Sequence, residues 1–159
     1  MDPNQWEARV ADLWERYESL APAAAIEAMR ELAAQSPVAD GRGAYELGGM
    51  YDSLGFEAEA ALEYERALAL GLDEERHAMI AVQYGSTLRN NGRLEEAIAV
   101  LEAAPEHPST GAAPRVTLAL ALHSAGRSDE ALRVALEALI PTLPRYQRSM
   151  SAYAAALTA

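Results

Sequence analysis

The chain has no cysteine, and each of its 13 basic residues, among 159, is an arginine. The first absence excludes disulfides, thiolate metal ligands and thiol nucleophiles, and it suits a reducing compartment, here taken as the cytoplasm. The second excludes a Schiff-base lysine, a P-loop lysine and any acceptor site built from lysine. No run approaches the roughly 18 consecutive apolar residues of a membrane span. The opening MDPNQWEARV is acidic and amphipathic where a secretion leader would be apolar. A basic face is lacking as well: the formal charge is −11 and the isoelectric point near 4.7. Phosphate binding needs such a face to release counterions, so no nucleic-acid partner is expected.

Catalytic constellations are equally scarce. His77, His107 and His123 lie far apart, without HxxxH or HExxH spacing, so no metal site is expected. No GxSxG elbow accompanies the serines. The acid pairs Glu57/Glu59, Glu74/Glu75 and Glu95/Glu96 fall at helix starts, where the macrodipole favours negative charge without any acid–base role. Neither an enzyme nor a cofactor is expected.

What is present is repetition. Ala44–Leu70, Ala81–Pro105 and Arg115–Ile140 align on the turn glycines Gly55, Gly92 and Gly126, in steps of 37 (92−55) and 34 (126−92) residues. Ahead of each glycine stands a small residue, Gly48, Gly85 or Ala119; behind it stand Ala60, Ala97 or Ala131 and then Ala67, Ala104 or Ala138. A period of about 34 residues with small residues at fixed offsets is the signature of a helical-hairpin solenoid. Small residues let paired helices approach to the short end of the usual ~8–10 Å separation. Bulky neighbours fill the remaining space: Tyr51, Leu88 and Leu122 on the first helices, Tyr64, Leu101 and Ala135 on the second. Each turn glycine is expected in the left-handed region, which ends a helix without a Cβ clash.

Helices account for nearly the whole chain, and no strand-period stretch remains. Asp2 is placed to cap the first helix, with Pro3 at its first position and Gln5 set for a capping box. Trp6, Val10, Leu13, Tyr17 and Leu20 form its apolar face. Pro22 opens a second helix, ended at Ser36-Pro37. Further helices are expected at Gly43–Leu54, Glu57–Leu70, Asp73–Asn90, Leu94–Ala104, Arg115–Ser124, Ser128–Ile140 (capped by Ser128) and Arg145–Leu157. The one long loop is PEHPSTGAAP, Pro105–Pro114. The chain reads as one domain: a degenerate hairpin at 1–40, repeats at 41–72, 73–110 and 111–143, and a closing helix at 144–159.

The segments LGGMYDSLGFEAEAALEYERAL, YGSTLRNNGRLEEAIAVL and LALALHSAGRSDEAL resemble the tetratricopeptide repeat, a similarity spanning roughly 41–140. GGMYDSLGFEAEA, STLRN and LPRYQRSMSAYAAAL look like a group of small bacterial tetratricopeptide proteins. The resemblance implies an all-α, right-handed superhelix of about nine helices, with partner binding in a concave groove lined by the first helix of each pair. In the co-chaperone branch of that superfamily, lysines and asparagines grip a peptide C-terminus there. Here Tyr45, Gly49, Gln83, Ala113 and Thr117 stand in those places, so that clamp is absent.

Counting back from the turn glycines populates the groove with Tyr45, Asp52, Gln83, Ser86, Arg89, Asn90 and His123. They read as a polar strip with Arg89 as its one cation, either a floor for a peptide or extended polar ligand, or a surface on which Asp52 and Arg89 pair. The expected function is a protein-interaction module for a peptide or protein partner. The alternative is a self-associating scaffold, a homodimer joined through the apolar residues of the closing helix, Met150, Tyr153 and Leu157.

Overall fold

A computed structural model describes residues 1–159 as nine α-helices with no strand. They are α1 (Pro3–Arg16), α2 (Pro22–Ala34), α3 (Arg42–Ser53), α4 (Glu57–Leu70), α5 (Glu74–Asn90), α6 (Leu94–Glu102), α7 (Ala113–Ser124), α8 (Ser128–Leu139) and α9 (Gln147–Ala156). Single 3₁₀ turns follow α1 and α8, at Tyr17–Ser19 and Ile140–Thr142. The architecture is all-α and built from helical hairpins. Two compact units divide it, Met1–Ile80 and Ala81–Ala159, so that α5 begins in one and ends in the other.

Local chemistry accounts for the element ends. The Asp2 carboxylate accepts from the Gln5 amide at 3.0 Å, and the Asp73 carboxylate from the Arg76 amide at 2.9 Å, each taking an amide that has no partner inside the helix. Gly55, Gly92 and Gly126 have φ of 80°, 76° and 78°. Each donates to the carbonyl three residues back, at 3.0 Å, while the next residue donates to the carbonyl five back, at 2.9 Å. That double bond pattern is a Schellman close, made three times over.

Several helix ends differ from expectation, those of α3 and α5 by one residue and the following by more or in their cap. Helix α6 stops at Glu102, because Pro105 disfavours helical geometry in the residue before it. Helix α7 starts at Ala113 and takes Pro114 into its first turn, where proline's missing N–H has no cost. Arg127, not Ser128, holds the N-cap of α8, and its side chain makes no cap bond. Helix α9 begins only at Gln147, since Tyr146 has φ 69° and interrupts the right-handed run.

In the first unit, α3 packs against both α2 and α4, and α1 against α2. Its core joins Trp6, Val10, Leu13, Met29, Leu32, Leu47 and Met50, with the Trp6 indole donating to the Leu32 carbonyl at 2.7 Å. The small repeat positions have a steric cause: a Cβ on Gly48 would lie 2.8 Å from the Tyr64 ring. In the second unit, α7 packs between α6 and α8, and α9 covers α8. There a Cβ on Gly85 would meet Leu101 at 2.6 Å. Ala135, expected to fill space like Tyr64 and Leu101, is exposed.

Candidate functional site

Helical register puts the open positions of the first helices on one side of each helix. In Ala81–Ala159, the end of α5 presents Gln83, Ser86 and Arg89 half-buried and Asn90 exposed, at spacings of three and four residues. On α7 the matching face carries Val116, Leu120, His123 and Ser124, all exposed. The two faces join where Arg89 Nε donates to Ser124 Oγ at 2.9 Å, while Arg89 Nη1 donates to Asn90 Oδ1 at 3.2 Å. Beside them the Oε1 of Gln83 is buried and receives no hydrogen bond from the chain. Val116 and Leu120 are 51% and 48% exposed, an aliphatic pair one helical turn apart. The offsets from the turn glycines reach Val116 and Leu120 as well as the polar positions, but the polar strip leaves this pair out, because an aliphatic side chain in a repeat reads first as core.

In Met1–Ile80 the equivalent positions are occupied. Tyr45, expected half open or better, is 7% exposed and lies with its ring centroid 6.5 Å from that of Tyr64. Gly49 is covered by the Trp14 indole, which a Cβ there would approach at 3.3 Å. Asp52, half-buried, accepts from the Tyr64 hydroxyl at 3.4 Å. Burial, and then the Asp52 carboxylate, pushes the Tyr64 hydroxyl's pKa upward.

A charge network completes that unit. Arg42 grips both oxygens of Asp40 and reaches Glu7 Oε1 at 3.2 Å. Arg76 donates to Glu7 at 2.8 and 2.7 Å and to Asp73 at 2.8 Å, and its Nε stands 3.8 Å from Glu46. Glu46, almost fully buried, accepts from Trp14 Nε1 at 2.8 Å. Burial raises its pKa against the lowering effects of that hydrogen bond and of Arg76. For Asp73, burial is outweighed by hydrogen bonds from Arg76, which hold its pKa below the ordinary value. Sequence reading missed this network. The available signal was a cation in the first turn of α3 and of α5, a place the macrodipole makes unfavourable unless carboxylates surround it.

A further concavity of the second unit is a cleft of about 930 Å³ beside the proline loop, bordered by Leu101, Pro105, His107, Pro114, Leu118 and Pro141. His107 is tied to its own turn through Ser109, whose amide donates to Nδ1 at 3.2 Å. No group of three or more His, Asp or Glu side chains is placed to hold a metal ion. No helix is long and apolar enough to cross a membrane.

A family model described as Tetratrico peptide repeat matches residues 41–157. No curated protein matches the chain.

Proposed function

The chain belongs to the tetratricopeptide repeat family, and on that premise we propose that it binds a segment of a partner protein on the first-helix face of Ala81–Ala159. Repeats of this family serve in general as protein–protein interaction modules and not as catalysts. The observation that carries the reading is the half-open pair Val116 and Leu120 beside the Arg89–Ser124 bond. Aliphatic side chains held at one-turn spacing next to fixed polar groups make a docking face. Gln83, Ser86, Asn90 and His123 supply its polar contacts, whereas Tyr45 and Asp52 serve packing in the other unit. A cysteine-free, acidic chain of this kind fits the cytoplasm and a protein partner in preference to nucleic acid.

Affinity capture from lysate, compared between wild type and variants, tests the reading. Leu120→Glu is expected to lose the captured partner, and Leu62→Glu, on the exposed side of α4, to keep it. Capture that survives Leu120→Glu in a folded protein sinks the reading.

Self-association is a second reading, and Tyr153 favours it, being 66% exposed on α9 beside Met150. Symmetric dimers commonly form through such faces. Light scattering is expected to give twice the 17.1 kDa chain mass, reduced by Tyr153→Glu.

A further inference from the structure

We infer that α9 pairs antiparallel with α9 of a second copy of this chain, about a two-fold axis passing near Ala152. The inference rests on the self-association reading above. It adds which way the two helices run and what each copy places on the other.

The apolar surface comes first. Helix α9 buries Ala154 against the protein and leaves Met150, Ala152, Tyr153, Ala155 and Ala156 exposed. It is held at both ends: Gln147 Nε2 donates to the Leu143 carbonyl at 2.8 Å, and Arg133 Nη1 to Thr158 Oγ1 at 2.7 Å. A face fixed in this way is presented without a further ordering cost on association. A stable interface takes roughly 1,000 Å² or more, beyond the reach of one short helix. Helix α8, on which α9 packs, leaves Leu132 and Leu139 exposed as further apolar area.

Charge decides the occupant. All 24 Asp and Glu residues precede residue 138, while Arg145 and Arg148 follow it. Both arginines are exposed, and neither pairs with a carboxylate. Two copies that each carry a formal charge of −11 repel one another. Contact through α9 brings them together on the stretch of chain that has no carboxylate side chain.

The position of Arg148 sets the direction. It stands in the first turn of α9, which holds no acidic residue, and the macrodipole makes a cation there unfavourable. Parallel pairing would add the repulsion of Arg148 by its own copy. Antiparallel pairing reverses both effects. Arg148 of each copy then lies along Ala155 and Ala156 of the other, its aliphatic stem on small side chains and its guanidinium at the last-turn carbonyls, where the macrodipole favours positive charge. Tyr153 of each copy packs beside the other copy's Ala152, next to the axis.

The chain has no cysteine, so single introduced thiols report the pairing. Under mild oxidation Ala152→Cys should form a disulfide-linked dimer. Ala156→Cys alone should not, because four residues from the axis on each copy set the thiols about 12 Å apart along the helices, beyond the roughly 7 Å between Cα atoms that a disulfide spans. Mixed with Arg148→Cys, it should link across. In sedimentation equilibrium Arg148→Glu should weaken the dimer roughly tenfold, while Arg148→Lys stays near wild type. Circular dichroism of each variant reports its fold. Failure of Ala152→Cys to link, self-linking of Ala156→Cys, or a dimer indifferent to Arg148→Glu in a folded chain overturns the antiparallel pairing and leaves self-association standing. A mass of 17.1 kDa throughout a dilution series of the wild type overturns both and leaves α9 to a partner of another sequence.

Discussion

The two units share one hairpin plan and use its inner positions in opposite ways. In Met1–Ile80 the face of α3 is closed: Tyr45 packs with Tyr64, Trp14 covers Gly49, and Glu46 is buried under the same indole. In Ala81–Ala159 the corresponding face of α7 stays open, with Val116, Leu120 and His123 exposed and Arg89 the only long side chain drawn across, to Ser124. Identical turn geometry at Gly55, Gly92 and Gly126 shows that the repeat frame does not cause the difference. Side chains on that frame do. Aromatic residues and matched charges make a stable wall, while aliphatic residues beside an uncompensated cation make a surface that gains by being covered.

Truncations should expose the contrast most strongly. Trp6→Ala removes a fully buried ring and its hydrogen bond to Leu32, and should cost about 3–5 kcal/mol. Leu120→Ala, half exposed, should cost less than about 1 kcal/mol in the same chemical denaturation experiment. Equal losses would mean that the second unit's face is core.

Ion pairs should divide the units next. Arg76→Ala, with hydrogen bonds to Glu7 and Asp73, is expected to cost on the order of 2 kcal/mol. Arg127→Ala breaks only a solvent-exposed pair with Glu130 and should leave the denaturation midpoint close to that of wild type. Similar midpoints for the two variants would remove the distinction between a buried network and a surface pair.

The turns should show agreement. Gly55→Val and Gly92→Val each force a β-branched residue to positive φ, for about 1–3 kcal/mol. Matching shifts in thermal melts support one frame beneath both units; an effect in only one would break it.

The smallest effect is a pH dependence of opposite sign at two carboxylates of the first unit. Glu46 has a folded pKa above its ordinary 4.5, so its ionisation opposes folding. Its contribution is lost as pH rises from the unfolded value through the folded one. Asp73 acts in the opposite sense: its pKa lies below the ordinary 3.8, and the stability it contributes at higher pH disappears as pH falls through the lowered value. Melting Glu46→Gln beside wild type should therefore show the variant gaining relative stability as pH rises above 4.5. A constant difference would show that Glu46 is not desolvated.

The hairpin register, the left-handed glycines and most helix bounds were legible in the chain, because they depend on contacts within a few residues or on a period that repeats them. Proline positions misled at both ends of the loop, since Pro114 can open a helix as readily as it closes one and Pro105 acts two residues ahead of itself. Of the polar strip, Gln83, Ser86, Arg89 and Asn90 share one side of α5 by helical spacing alone. The offsets could not say that Tyr45 is sealed or that Arg89 takes Ser124, since both depend on residues distant in sequence.

Sequence by itself determined an all-α repeat without cysteine or lysine, because composition and period are properties of the chain alone. Tertiary structure alone decided which repeat positions are walls and which are open. Burial of Glu46 required Trp14, from 32 residues away, and orientation of Arg89 required Ser124, from 35 away. Such pairings arise from how helices pack, and nothing local in the chain encodes them.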